Sequence, residues 1–103
     1  MRDQLESLRK AWNRLSPLPG GKRAFSKLVG KLVPYTGSIQ PQVLDLRSGY
    51  ARLQMRDRRA VRNHLKSIHA VALMNLAEAT SGLAFSYSLP PNTRAILTEL
   101  SIE

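Results

Sequence analysis

The chain has 103 residues, no cysteine, and a net charge of +9 from sixteen Lys and Arg against seven Asp and Glu. That length allows one domain with a modest core. Without cysteine there is no disulfide framework, thiol nucleophile or thiolate metal site. With only His64 and His69 as imidazoles, no dedicated zinc site is expected, and no metal or cofactor is called for. No apolar run approaches the ~20 residues of a membrane span. The N-terminal region is charged throughout, unlike a signal peptide, and a cytoplasmic location is expected.

Residues 3–15 place Leu5, Leu8, Trp12 and Leu15 on one helical stripe, which Ser16-Pro17-Leu18-Pro19-Gly20-Gly21 breaks. Residues 22–32 place Phe25, Leu28, Val29 and Leu32 on one face and lysines on the other, and Pro34 stops that helix. The pair reads as a packing element. An amphipathic membrane anchor is the alternative, disfavoured because the breaker leaves two short helices. Ile39 to Arg47 and Tyr50 to Arg56 read as two antiparallel strands joined at Ser48-Gly49, with Pro41 marking an edge or bulge. In the second strand Ala51, Leu53 and Met55 alternate with Arg52, Gln54 and Arg56. After a polar loop to Ser67, a plausible N-cap, a long buried helix is predicted from about Ile68 to Tyr87. Beyond Pro90-Pro91-Asn92, residues 95–102 alternate as a final strand.

Glu78 stands out in the long helix. It is the only carboxylate between Asp57 and Glu99, and its neighbours are Ala, Leu, Val and Met. An ionised, unpaired carboxylate in such surroundings costs several kcal/mol, so its placement suits a general base. The bland reading is a wet helix edge. Glu78 follows His69 by nine residues and Asn63 by fifteen. Nine residues at about 100° each put His69 and Glu78 on opposite sides of the helix, so a shared site needs a second chain. Basic residues at 56–66, among them Arg58, Arg59, Arg62 and Lys66, form an anion-attracting cluster. Singly, each reads equally well as a solvated surface charge.

Two strands, then a buried helix opened by Asn-(x)5-His and carrying an acid nine residues after the histidine, then further strand: over about residues 35–103 the chain resembles the hotdog fold. Within it, the chain resembles acyl-CoA thioesterases of the phenylacetyl-CoA type, particularly a branch of small bacterial proteins. The resemblance implies an α+β hotdog-like architecture, an antiparallel sheet wrapped around a long buried helix, with residues 1–34 as an N-terminal helical extension. It also implies a homodimer or dimer of dimers with sites between subunits. On that reading Glu78 is general base or nucleophile, Asn63 and His69 position the thioester and water, and the Ala70 N–H forms the oxyanion hole. Arg58, Arg59, Arg62 and Lys66 would meet the phosphates of coenzyme A. The family carries two glycines after the histidine where this chain has Ala70-Val71. It also has strands beyond the last one here, so the sheet is expected to be incomplete, as in a C-terminally truncated form.

The leading expectation is therefore hydrolysis of an acyl-CoA or related acyl thioester. A second is a non-catalytic acyl-ligand-binding protein, motivated by the bulk of Ala70-Val71. A third is nucleic-acid binding, motivated by charge and weakened by the presence of only six aromatics and no recognised motif.

Overall fold

The computed structural model describes residues 2–90, 93 and 96–101, with side-chain surroundings from Ser7 onward. Helix α1 spans Arg2–Leu15 and helix α2 spans Gly21–Leu32, close to expectation. They fold back on each other through a turn in which Gly20 takes φ 72°. A Cβ on Gly21 would collide with the Leu15 carbonyl, so only glycine permits this close entry into α2. The Trp12 and Phe25 rings then meet edge to face, 5.1 Å between centroids.

Pro34 ends α2 and opens a single turn, α3 (Pro34–Gly37), at the N1 position that tolerates proline. Strands β1 (Gln42–Arg47) and β2 (Tyr50–Gln54) form the expected antiparallel hairpin, closed at Gly49 with φ 74°. Strand β1 starts later than the alternation suggested. Gln40, at φ 50°, and Pro41 interrupt the extended run, and Ile39 is buried instead beneath α4, the helix Ala70–Ser88. The pairing carries a bulge between Val43 and Asp45. Without it Val43 and Leu46, three residues apart, would face opposite sides of the sheet. With it both are buried, at 1% and 3% exposure.

One core joins Trp12, Phe25, Val29, Val43, Leu46 and Leu83, so α1 and α2 share their interior with the hairpin and α4. A second cluster holds Ile39, Val61 and Ala72 at the start of α4. Three contacts tie the far end of α4 to α1: Arg9 donates to the Leu89 carbonyl (2.9 Å), the Tyr87 hydroxyl to Asn13 Oδ1 (2.9 Å), and the Arg9 guanidinium lies 5.6 Å from the Tyr87 ring centre.

One expectation is corrected. The alternation over 95–102 does not give a strand: 96–101 carry no regular structure, and Ala95 and Ile102 lie outside the described residues. A strand requires a partner for its backbone groups, and among the described residues β1 and β2 pair only with each other. The long helix is covered by the described sheet on one side, as an incomplete sheet would cover it. It lies against one side of the hairpin, leaving Val71, Leu73 and Phe85 exposed.

The α2–β1 contact turns on Ser26, which is buried. Its hydroxyl accepts from the Val43 N–H (2.8 Å) and donates to the Lys22 carbonyl (2.8 Å). Ser26→Ala would leave the Val43 N–H without a partner in the core, at a cost of about 1–3 kcal/mol. Urea unfolding should show that loss, whereas Ser26→Thr, which keeps the hydroxyl, should lose less.

Candidate functional site

The loop before α4 is built by backbone pairing across a short span. After the 3₁₀ turn Arg59–Val61, Arg62 and Ile68 form an isolated antiparallel bridge. The Asn63 N–H donates to Ser67 O (2.8 Å) and the His69 N–H to Val61 O (2.7 Å). Asn63 Oδ1 closes the loop from inside, accepting from the N–H groups of Leu65 (2.9 Å) and Ser67 (3.2 Å). Lys66 completes the turn at φ 62°, a conformation that disfavours its side chain.

Helix α4 then begins two residues later than the sequence suggested. The N-cap is His69, not Ser67: its Nδ1 accepts from the Val71 N–H at 3.0 Å. Ser67 is instead held in the bridged loop. An imidazole whose Nδ1 accepts is neutral with its proton on Nε2, so Nε2 is left as a donor. Ala70, at the first helical position, is exposed, and its N–H makes no hydrogen bond among the described residues. Two donors thus stand at the positive end of a nineteen-residue helix.

Two of the four basic candidates are already engaged. Arg58 donates to the Ser38 carbonyl at 2.6 Å. Arg62 donates through Nε to Asp57 at 2.7 Å, a hydrogen bond that holds the Asp57 carboxyl below its usual value of 3.8. The side chains of Arg59 and Lys66 are exposed and make no hydrogen bond or ion pair among the described residues.

Glu78 lies elsewhere. It is half-buried on the wall of a cavity of about 560 Å³. Val29 and Leu32 of α2, Leu83 and Phe85 of α4, and Ile96 and Leu97 supply much of its apolar lining. The Glu78 carboxylate makes no ion pair or hydrogen bond among the described residues. A Cβ on Gly82, one turn on, would meet Glu78 Oε1 at 4.0 Å, an ordinary van der Waals distance.

Asn63, His69 and Ala70 do not line this cavity. Eight residues of helix separate Ala70 from Glu78, about 12 Å along the axis. One chain therefore brings together the helix-start residues but not the acid. Val33, Thr36 and Glu99 also line the cavity, and neither they nor Leu32 stand out in the sequence as site residues. Leu32 comes from a helix that pattern alone assigns to packing, and Thr36 from the stretch between Pro34 and Ile39 that carries no periodicity, so no local signal marked them. Glu99 sits in the tail that alternation assigned to a strand. Among the described residues, no three His, Asp or Glu side chains group as metal ligands would.

The cap assigns His69 a structural duty that can be separated from any chemical one. His69→Ala should cost about 1 kcal/mol of stability. His69→Asn, a good N-cap, should recover most of it in urea titrations followed by circular dichroism.

Comparison with known proteins places the chain in a family without an assigned role. No curated protein matches it. A crystal structure of a genomics target is 35% identical, with TM-score 0.68, over 84% of this chain and 55% of that one. The present chain thus spans little more than half the length of that relative. A family model described as a domain of unknown function, DUF4442, matches residues 21–103, from the first residue of α2 through both halves of the candidate site. On that match, the chain belongs to the DUF4442 family.

Proposed function

We propose that the chain is a hotdog-type acyl thioesterase whose site is composed from two copies. The observation that carries this reading is Glu78, an unpartnered carboxylate on the wall of an apolar cavity of about 560 Å³. That volume lies in the range of small-molecule sites, and an apolar lining with one carboxylate suits an acyl chain brought to a base. Glu78 would take a proton from water as the water oxygen attacks the thioester carbonyl carbon. The resulting oxyanion would be held by the Ala70 N–H of the other copy, with His69 Nε2–H and Asn63 orienting the reactants. Collapse breaks the C–S bond. The thiolate leaves with the proton held by Glu78, giving a carboxylic acid and a free thiol.

Composition from two copies is supported by the separation of Ala70 and Glu78 along one helix. It is also supported by an open groove of about 630 Å³ between β2 and α4, bordered by Tyr50, Ala51, Leu73, Leu76 and Ala77. Groove and neighbouring strand edge present apolar surface and backbone groups to a second chain.

The non-catalytic acyl-binding reading is favoured by a different observation. Asn63 Oδ1 is already occupied by backbone N–H groups, as is His69 Nδ1. Such a protein would bind acyl-CoA without turnover.

Steady-state hydrolysis of a panel of acyl-CoAs decides between them. On the thioesterase reading, Glu78→Gln lowers kcat by roughly 10²–10⁴ while folding is kept, and unaltered turnover removes Glu78 from the chemistry. Mixing Glu78→Gln with His69→Asn subunits, with exchange verified, should restore some activity, because a mixed pair can assemble one intact site. For the carrier phosphates, Arg59 and Lys66 are the two of the four basic candidates that make no hydrogen bond or ion pair among the described residues. Their double replacement by glutamine should raise KM for acyl-CoA, with little effect on a short thioester lacking the nucleotide.

A further inference from the structure

We propose that the outer face of α2, continued by Val33 and Tyr35, docks on an anionic lipid surface. The 38 residues 7–44 hold seven Lys and Arg and no Asp or Glu. Within that span α2 carries three different stripes. Phe25, Ser26 and Val29 are buried. Taking Leu28 as origin, Leu32 lies about 40° to one side, while Lys31 and Lys27 lie about 60° and 100° to the other. All four are exposed, as is Arg23 beyond Lys27.

The apolar stripe is left open to solvent at its widest part. Leu28 is 36% exposed, Leu32 44%, Val33 47% and Tyr35 68%. Tyr35 is not displayed by a loose segment. It sits in the one-turn α3, and its backbone carbonyl accepts from Asn75 Nδ2 (3.1 Å) and from the Ser38 hydroxyl. An exposed tyrosine on a hydrogen-bonded turn, within seven residues of three exposed aliphatic side chains and with lysines along one flank of α2, has the make-up of an interfacial helix: apolar groups enter the acyl boundary, the aromatic sits among headgroups, and cations meet phosphate.

Charge selects this occupant over an apolar protein partner. A second copy seated by the same face would bring Arg23, Lys27 and Lys31 against their own like charges, whereas an anionic surface complements them. Nucleic acid offers the same charge, but it has no use for four exposed apolar side chains on the contact face. Leu32 and Val33 also line the cavity that holds Glu78, so the proposed docking face adjoins that cavity. No described helix is long and apolar enough to cross a membrane, and the contact proposed is peripheral.

Co-sedimentation with vesicles tests the proposal. The chain should sediment with phosphatidylcholine vesicles containing phosphatidylglycerol, and much less with phosphatidylcholine alone. Added salt should release it, since exposed charges are screened within about 10 Å at 0.1 M. Lys27→Gln with Lys31→Gln should weaken the anionic-vesicle association about 25-fold, roughly fivefold for each lysine. Leu32→Gln with Tyr35→Ser should also weaken vesicle association while leaving retention on random DNA unchanged. These side chains are exposed, and circular dichroism checks that the fold is kept. No sedimentation with anionic vesicles would overturn the proposal. So would equal loss of DNA and vesicle binding on removing the lysines with no effect of the apolar replacements, which would mark the face as a general polyanion binder.

Discussion

Helix α4 is apolar around most of its circumference, and a two-stranded hairpin can shield only part of that surface. The rest of the described chain is arranged around this mismatch. Phe25 and Val29 from α2 and Trp12 from α1 join Val43 and Leu46 against the Leu83 end of the helix, while Ile39 and Val61 close over Ala72 at its start. Where no element reaches, Val71, Leu73 and Phe85 remain in contact with solvent. The helical pair at the N-terminus therefore supplies part of the core that the small sheet lacks. It does so through a buried hydroxyl, Ser26, which gives the first core residue of β1 a backbone partner.

Most elements were legible because their periods were clean. The stripe Leu8, Trp12, Leu15, the Ala51–Leu53 alternation and the apolar run after His69 all correspond to elements of the expected kind. What was not legible depends on contacts far apart in sequence. The bulge in β1 arises because Val43 and Leu46 must both meet α2 and α4, which alternation along one strand cannot reveal. The start of α4 shifted because the Asn63 loop consumes Ser67, leaving His69 to cap. The tail at 96–101 alternates as a strand does, but alternation supplies no neighbouring edge.

Of the candidate site, the setting of Glu78 was legible and the layout was not. An acid isolated among apolar residues does line a cavity, as an uncompensated carboxylate in a core helix would suggest. The cationic loop is more subdivided than its composition implied. Arg58 and Arg62 are spent holding the loop to Ser38 and Asp57, and only geometry distinguishes them from Arg59 and Lys66.

The clamp between Arg9 and the Leu89 carbonyl joins residues 80 positions apart. During synthesis, α1 leaves the ribosome long before its anchor exists. At roughly 5–20 residues per second, about 4–16 s pass between the two. The Trp12–Phe25 contact, by contrast, needs only the first turn and α2. Any pairing of α1 with α2 in the nascent chain leaves its core face open until the hairpin and then α4 follow. In that interval Trp12, Phe25 and Val29 offer the apolar surface on which a chaperone, or a neighbouring nascent chain, would act.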